Sequence, residues 1–220
     1  MKEIIGIINK EILSEFRTKS SLATVGLFIV TTITIIGIGI GNEQINAQIS
    51  GGLLWVVMFF SSMVGLSKIF IQEEERGTSM FLLIQANSSY IYFGKLIYNT
   101  ILSIVINIIT ILLFLFFINQ VRINSWDVFI LAMLLSSIGL AAATTIISAL
   151  ISKAGSKNAL FPVLAFPVLL PLVFIGISLT IDSIEGISLA KASNYLNMLV
   201  AYSGINVILS YFLFDYIWQE

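Results

Sequence analysis

The chain of 220 residues contains no cysteine and no histidine. The first absence excludes disulfides, thiolate metal sites and cysteine nucleophiles. The second removes the commonest metal ligand, general base and haem axial ligand together. Charge is scarce too. Lys, Arg, Asp and Glu make up 10% of the residues, against about 25% in an ordinary soluble domain. Hydrophobic residues make up 58%, and the mean hydropathy is +1.01. A water-soluble fold of this size exposes too much surface to hide that much apolar area, and lipid as solvent removes the limit. No G-x-x-x-x-G-K-[ST] phosphate loop occurs, so this chain does not hydrolyse ATP alone. No acidic residue lies deep in an apolar stretch, since Glu43, Asp127, Asp182, Glu185 and Asp215 all fall outside one or near its end. A proton- or sodium-coupled carrier usually needs buried carboxylates or broken-helix ion sites, and the former are missing. A membrane hydrolase would lack a histidine base, internal repeats are not visible, and nothing points to nucleic acid.

Six stretches are long and apolar enough to cross about 30 Å of hydrocarbon, which takes roughly 20 residues of helix. They run roughly over Leu22–Gly41, Gly51–Ile71, Leu96–Ile118, Val128–Ile151, Ala159–Ile181 and Tyr195–Ile217. The third holds seventeen Ile, Leu, Val or Phe in 23 positions. At about −0.3 to −0.6 kcal/mol each near the membrane centre, these outweigh Asn99 and Asn107. The sixth is the most dilute, with Asn197, Ser203, Gly204, Asn206 and Ser210. Barrel strands are short and alternate polar with apolar, whereas these runs are continuous, so the spans are helices.

Lys and Arg divide unevenly between the two sides. One side collects Lys2, Lys10, Arg17 and Lys19, then Lys68, Arg76 and Lys95, then Lys153 and Lys157; the other has Arg122 and Lys191, nine against two. The positive-inside rule places both termini in the cytoplasm. Lys68 is expected about one turn inside the end of span two, snorkelling to the interface. The first 20 residues do not read as a secretory signal, because the apolar stretch is too long, starts late and lacks a small-x-small cleavage site. Ile4, Ile5, Ile8, Ile12, Leu13 and Phe16 recur at helical spacing, with Lys2, Glu3, Asn9, Lys10, Glu11 and Glu15 over much of the other face. The reading is an amphipathic helix over residues 1–20 on the inner leaflet; the alternative is a solvated helical tail.

Four polar features interrupt the apolar background. The connection Gln72–Lys95 is the longest between spans. It carries the acidic cluster Glu73, Glu74 and Glu75, then Arg76, then Gly77 to end or turn a helix, then Thr78 or Ser79 to cap a new one. Met80–Ile84 is apolar and too short to span. It reads as a short helix offered to a partner protein, or else as an interfacial segment without one. On span three, Asn99, Ser103 and Asn107 recur every four residues and Thr110 follows, all on one face; helix-packing contacts are favoured over substrate contacts. On span four, Ser137, Ala141, Thr145 and Ala149 also recur every four residues, beside Gly139 and Ala143, a face that admits a neighbouring helix closely. Span five contains Pro162, Pro167 and Pro171, each expected to kink it, as a moving element or as a static bend.

Several segments resemble one family. Gly52-Leu53-Leu54-Trp55, Lys68-Ile69-Phe70, Glu73-Glu74-Glu75-Arg76-Gly77-Thr78, Leu82-Leu83-Ile84 and Gly94-Lys95 are similar, in order and spacing, to the haem exporter protein B (CcmB) family. Ser137–Ala143, the loop Lys153–Lys157, Phe166–Gly176 and the ending Leu213–Trp218 are similar to its later half, so the likeness spans most of Lys10–Trp218. Two departures stand out: Ile84-Gln85-Ala86-Asn87 replaces the family's frequent Leu-Ser-Pro, and span one has no early proline. The resemblance implies an ABC-2-type permease formed by one transmembrane domain over residues 1–220, in the bacterial inner membrane. It implies two copies paired with two ATPase (CcmA-like) subunits that bind ATP, beside a haem-handling (CcmC-like) protein. Glu73–Gly77 with Met80, Phe81, Leu82 and Leu83 would form the coupling helix against the ATPase, making this a transport subunit and not an enzyme. Haem would be cargo or a handled substrate and not a tightly held cofactor, since without His or Cys only weak or unusual axial ligands such as Met, Tyr or Lys remain. An ABC-2 permease for a drug, lipid or polysaccharide, and a non-transporting membrane scaffold, are the competing readings.

Overall fold

A computed structural model describes residues 2–18, 20–41, 43–153 and 160–218. Lys19, Lys157 and Ala159, used above to count charge and to bound span five, lie outside the described residues, as does most of the loop Lys153–Lys157. The described chain is helical, with no strand among the described residues. In order the elements are α1 (Lys2–Thr18), α2 (Ser20–Ile40), α3 (Ala47–Leu66), α4 (Ile71–Glu75), α5 (Ser79–Gln85), α6 (Ser88–Phe117), α7 (Trp126–Lys153), α8 (Leu160–Glu185) and α9 (Leu189–Trp218). Six helical segments are long and apolar enough to cross a membrane, carried by α2, α3 with its continuation through α4, α6, α7, α8 and α9. The protein is an all-α, multi-pass membrane protein. The third crossing helix starts at Ser88 rather than Leu96, and the last at Leu189 rather than Tyr195, because each helix continues out of the apolar zone through residues that a hydropathy window rejects.

α7 forms the centre of the bundle, packed on α6, α8 and α9, while α3 packs on α6 and α8 and α2 lies at the rim. The position follows from side-chain size. Gly139, Ala141, Ala142, Ala143, Thr144, Thr145, Ser148 and Ala149 are all buried, so neighbouring backbones approach on every side. The four-residue stripe on α7 meets the polar stripe on α6. The Asn99 amide donates to Thr145 Oγ1 at 2.8 Å, and the Asn107 amide donates to Ser137 Oγ at 2.8 Å. Each hydroxyl in turn donates to its own helix, Thr145 to the Ala141 carbonyl and Ser137 to the Met133 carbonyl. Ser103 and Thr110 are buried on the same face of α6. In a double-mutant cycle, Asn107→Leu combined with Ser137→Ala will show a coupling of about 0.6 kcal/mol and at most about 1.7 kcal/mol, the range for interhelical hydrogen bonds in lipid. Equilibrium unfolding in mixed micelles measures it.

Pro162 is the third described residue of α8, and the residue four before it, whose carbonyl a proline kink would free, lies outside the described residues. Pro167 and Pro171 do lie inside α8, which continues unbroken to Glu185. Tyr202 of α9 donates its hydroxyl to the Val168 carbonyl, between the two prolines. Lys68 lies half-buried in a turn over 67–70, beyond the end of α3 but within the second crossing segment, Ala47–Glu75. That turn breaks the helix between α3 and α4, and α7 repairs the break. Ser148 donates from Oγ to the Ser67 carbonyl at 2.6 Å and accepts from the Phe70 N–H at 3.1 Å. Irregular backbone at this depth survives because protein groups satisfy it.

Candidate functional site

The connection between the second and third crossings is a folded unit. α4 ends at Glu75, and Gly77, at φ +65°, reverses the chain into α5. That left-handed conformation favours glycine. Thr78 stands at the N-cap position of α5, but its side chain does not cap the helix. Its hydroxyl instead donates to Glu73 Oε2 at 2.5 Å. On α5, Met80, Phe81 and Ile84 are 77%, 61% and 83% exposed, while Leu82 is buried and Leu83 half-buried. The helix is anchored by Leu82 and turns three large apolar side chains outward.

Glu73 departs most from the sequence reading. Expected on a docking surface with Glu74 and Glu75, it is 5% exposed and faces the protein interior. Its Oε1 accepts from Lys10 of α1 and from Lys95 of α6, the latter at 3.3 Å. Lys95 is fully buried. Its ammonium also donates to Glu11 Oε1 at 2.7 Å and to the Ile69 carbonyl at 2.7 Å, and lies 4.8 Å from the centre of the Phe70 ring. Glu11 further pairs with Lys10 at 3.3 Å. Two cations and two anions from α1, α4 and α6 thus form one closed cluster. Each ammonium proton of Lys95 has an acceptor, the condition under which a buried charge is tolerated. Glu74, Glu75 and Arg76 remain exposed, and Arg76 Nη1 donates to Ser14 Oγ at 3.0 Å.

α1 is accordingly more than a surface helix. Ile7, outside the apolar set read from the sequence, and Glu11 are buried, while Ile5, Leu13 and Phe16 point outward at 57%, 69% and 65% exposure. The inward side is possible because of Gly94. A Cβ there would stand 2.9 Å from Ile7 Cβ, so any larger residue would lift α1 off α6. Gly94 and Lys95 therefore act together, one admitting the helix and the other pairing with it.

A second junction links the early and late halves of the chain. The Trp55 indole of α3 is fully buried, and its Nε1 donates to Thr180 Oγ1 of α8 at 2.9 Å. The ring fills the space that a side chain at Gly176 would occupy. Trp55 and Gly176, 121 positions apart in the sequence, come from segments that each carried the resemblance, and the fold places them in contact.

The CcmB protein family matches residues 2–216, nearly the whole chain. The chain belongs to the CcmB family. Among curated proteins, none matches it. CcmB proteins are haem-exporter permeases of cytochrome c maturation and work in an ABC transporter context, so this chain is a transporter permease subunit, which fits a non-enzyme. The fold brings together, from the residues singled out in the sequence, the α6 and α7 stripes and the outward set Glu74, Glu75, Arg76, Gly77, Met80 and Phe81. It separates Glu73 and Leu82 from that set by burying them. The cluster of Lys10, Glu11, Glu73 and Lys95 was missed as a unit. Its signal was a lysine, Lys95, close to a long apolar run, where an unpaired ammonium is costly. Ser148 carried no signal, since a serine in a stripe of small residues reads as packing.

Proposed function

We propose that this CcmB protein is the inner-membrane permease subunit of an ABC complex that exports haem, or releases haem-loaded chaperone, during c-type cytochrome assembly. ATP is hydrolysed by a separate CcmA-like subunit. The observation that carries the reading is α5, a short helix anchored by one buried leucine with Met80, Phe81 and Ile84 exposed. Its side of the membrane is the one with nine of the eleven Lys and Arg, which favours the cytoplasm for it and for both termini. An ATPase surface packing on α5 would push on α4, and the cluster of Lys10, Glu11, Glu73 and Lys95 would pass that displacement to α1 and α6. Two copies of the chain serve two ATPase subunits, beside a CcmC-like haem-handling protein. The outward apolar face of α2, with Leu27, Val30, Ile35 and Ile38 exposed, is open to a second copy or to lipid.

The chain transmits force and holds haem, its cargo, only loosely. The chain has no His or Cys, which leaves only weak or unusual axial ligands such as Met, Tyr or Lys, and a transmitting subunit needs no axial ligand. Purified chain with a tightly bound, six-coordinate haem spectrum would overturn this part of the proposal.

Met80→Glu, Phe81→Glu and Ile84→Glu together test the seat of the ATPase. All three side chains are exposed, so the folded permease will persist in the membrane at normal level. Co-purification of the ATPase will fall at least tenfold, and c-type cytochromes will disappear with it. Unchanged co-purification would remove α5 from the interface. Normal cytochromes after deletion of the gene would indicate another cargo.

A further inference from the structure

Between α1 and the turn after α4 lies a cleft of about 690 Å³ lined by Lys10, Leu13, Ser14, Arg17 and Arg76. The α1 residues stand at i, i+3, i+4 and i+7, hence on one face, and Arg76 closes the cleft through its bond to Ser14 Oγ. No carboxylate lines it. Lys10 is shared with Glu73 and Glu11, but the guanidinium groups of Arg17 and Arg76 have no carboxylate within 4 Å among the described residues. Guanidinium pairs present flat, forked donors that match phosphate oxygens. Leu13 belongs to the same lining, and it and Phe16 are exposed.

We infer that this cleft binds the phosphodiester headgroup of an anionic phospholipid in the leaflet on the N-terminal side, with acyl chains running along Leu13 and Phe16. The level in the membrane supports lipid over a soluble anion. α1 packs on Gly94 and Lys95, within the first turns of the crossing helix α6, where headgroups lie. An amphipathic helix with outward Ile5, Leu13 and Phe16 beside three cations has the chemistry of an anionic membrane surface. The bound headgroup would tie α1 to the loop that precedes α5. The inference requires only that the chain is in a bilayer, and so stands whether or not the transport reading does.

Native mass spectrometry of the full chain, released from micelles doped with dioleoyl phosphatidylglycerol, dioleoyl phosphatidylcholine or inorganic phosphate alone, tests it. The expected result is retention of phosphatidylglycerol well above phosphatidylcholine, with no adduct from phosphate at equal concentration. Each cation near an anionic lipid surface contributes roughly fivefold, so Arg17→Gln with Arg76→Gln will weaken phosphatidylglycerol retention by tenfold or more. Arg17→Lys with Arg76→Lys will keep most of it. Arg122→Gln, in the connection on the opposite side, will leave it unchanged. Thermal midpoints of all variants will match the native chain, separating lost binding from lost folding. Equal retention of the two lipids, equal binding of free phosphate, or retention by the double Gln variant would overturn the inference. If that double Gln variant instead sheds the ATPase while keeping phosphatidylglycerol, the cleft belongs to an acidic protein surface.

Discussion

Replacing Lys95 by methionine will cost this protein about 3 kcal/mol or more in unfolding free energy. Methionine keeps the length and the apolar stem, so the loss isolates the charge. Without the ammonium, Glu11 retains only Lys10, the Ile69 carbonyl loses its donor, and Glu73 keeps one cation instead of two. Removing one partner of a buried ion pair costs about 3–5 kcal/mol when the survivor is left unpaired, and Lys10 still faces both carboxylates here, so the loss falls at the lower end of that range. The same physics gives the control. Lys95→Met combined with Glu11→Met removes both members of the buried pair that Lys95 makes most closely, and replacing a buried pair by apolar residues is often close to neutral. The double variant will therefore be more stable than Lys95→Met alone. Thermal unfolding in detergent, followed by size-exclusion fluorescence, measures both. A single variant as stable as the native chain would mean that Lys95 is hydrated and that the cluster does not hold α1, α4 and α6 together.

Gly176→Ala will be nearly as damaging, at about 2–3 kcal/mol. The added methyl falls on ring atoms of Trp55, which is fully buried and fixed by its bond to Thr180. A rigid indole in a close-packed interior has nowhere to go, and overpacking of this kind typically costs about 1–3 kcal/mol. Displacing the ring also breaks the bond at 2.9 Å to Thr180, which places the effect near the top of that range. Trp55→Phe with Gly176→Ala will recover part of the loss, since the smaller ring leaves room for the methyl. Full stability of Gly176→Ala would show that α3 and α8 are not in contact at this level.

How much of this was legible beforehand depended on the kind of interaction. The spans could be read because insertion free energy sums over about twenty residues and tolerates local errors. The stripes of Asn99, Ser103 and Asn107 and of Ser137, Ala141, Thr145 and Ala149 could be read because helical periodicity puts them on one face, and the fold pairs one stripe with the other. Helix ends were less legible: Ser88–Lys95 is helix despite its polarity. Glu73 was misread for a more basic reason. Three adjacent glutamates look alike in sequence, and only the arrival of Lys10 and Lys95 from elements far away in the chain selects the one that turns inward. Ile7 and Gly94 are a pair of the same kind, meaningless separately and decisive together.

The central claim is that α5 stands on the cytoplasmic side and receives the ATPase. Because the chain has no cysteine, single-cysteine chemistry needs no background removal. Ile84→Cys, paired with Gln120→Cys in the connection between α6 and α7, should be treated with a membrane-impermeant maleimide in intact cells and then with a short bifunctional cross-linker in inverted membranes. Ile84→Cys will resist the maleimide in intact cells and cross-link to the ATPase in inverted membranes, while Gln120→Cys will label from outside and form no such product. Labelling of Ile84→Cys in intact cells would put α5 on the wrong side of the membrane and contradict the account.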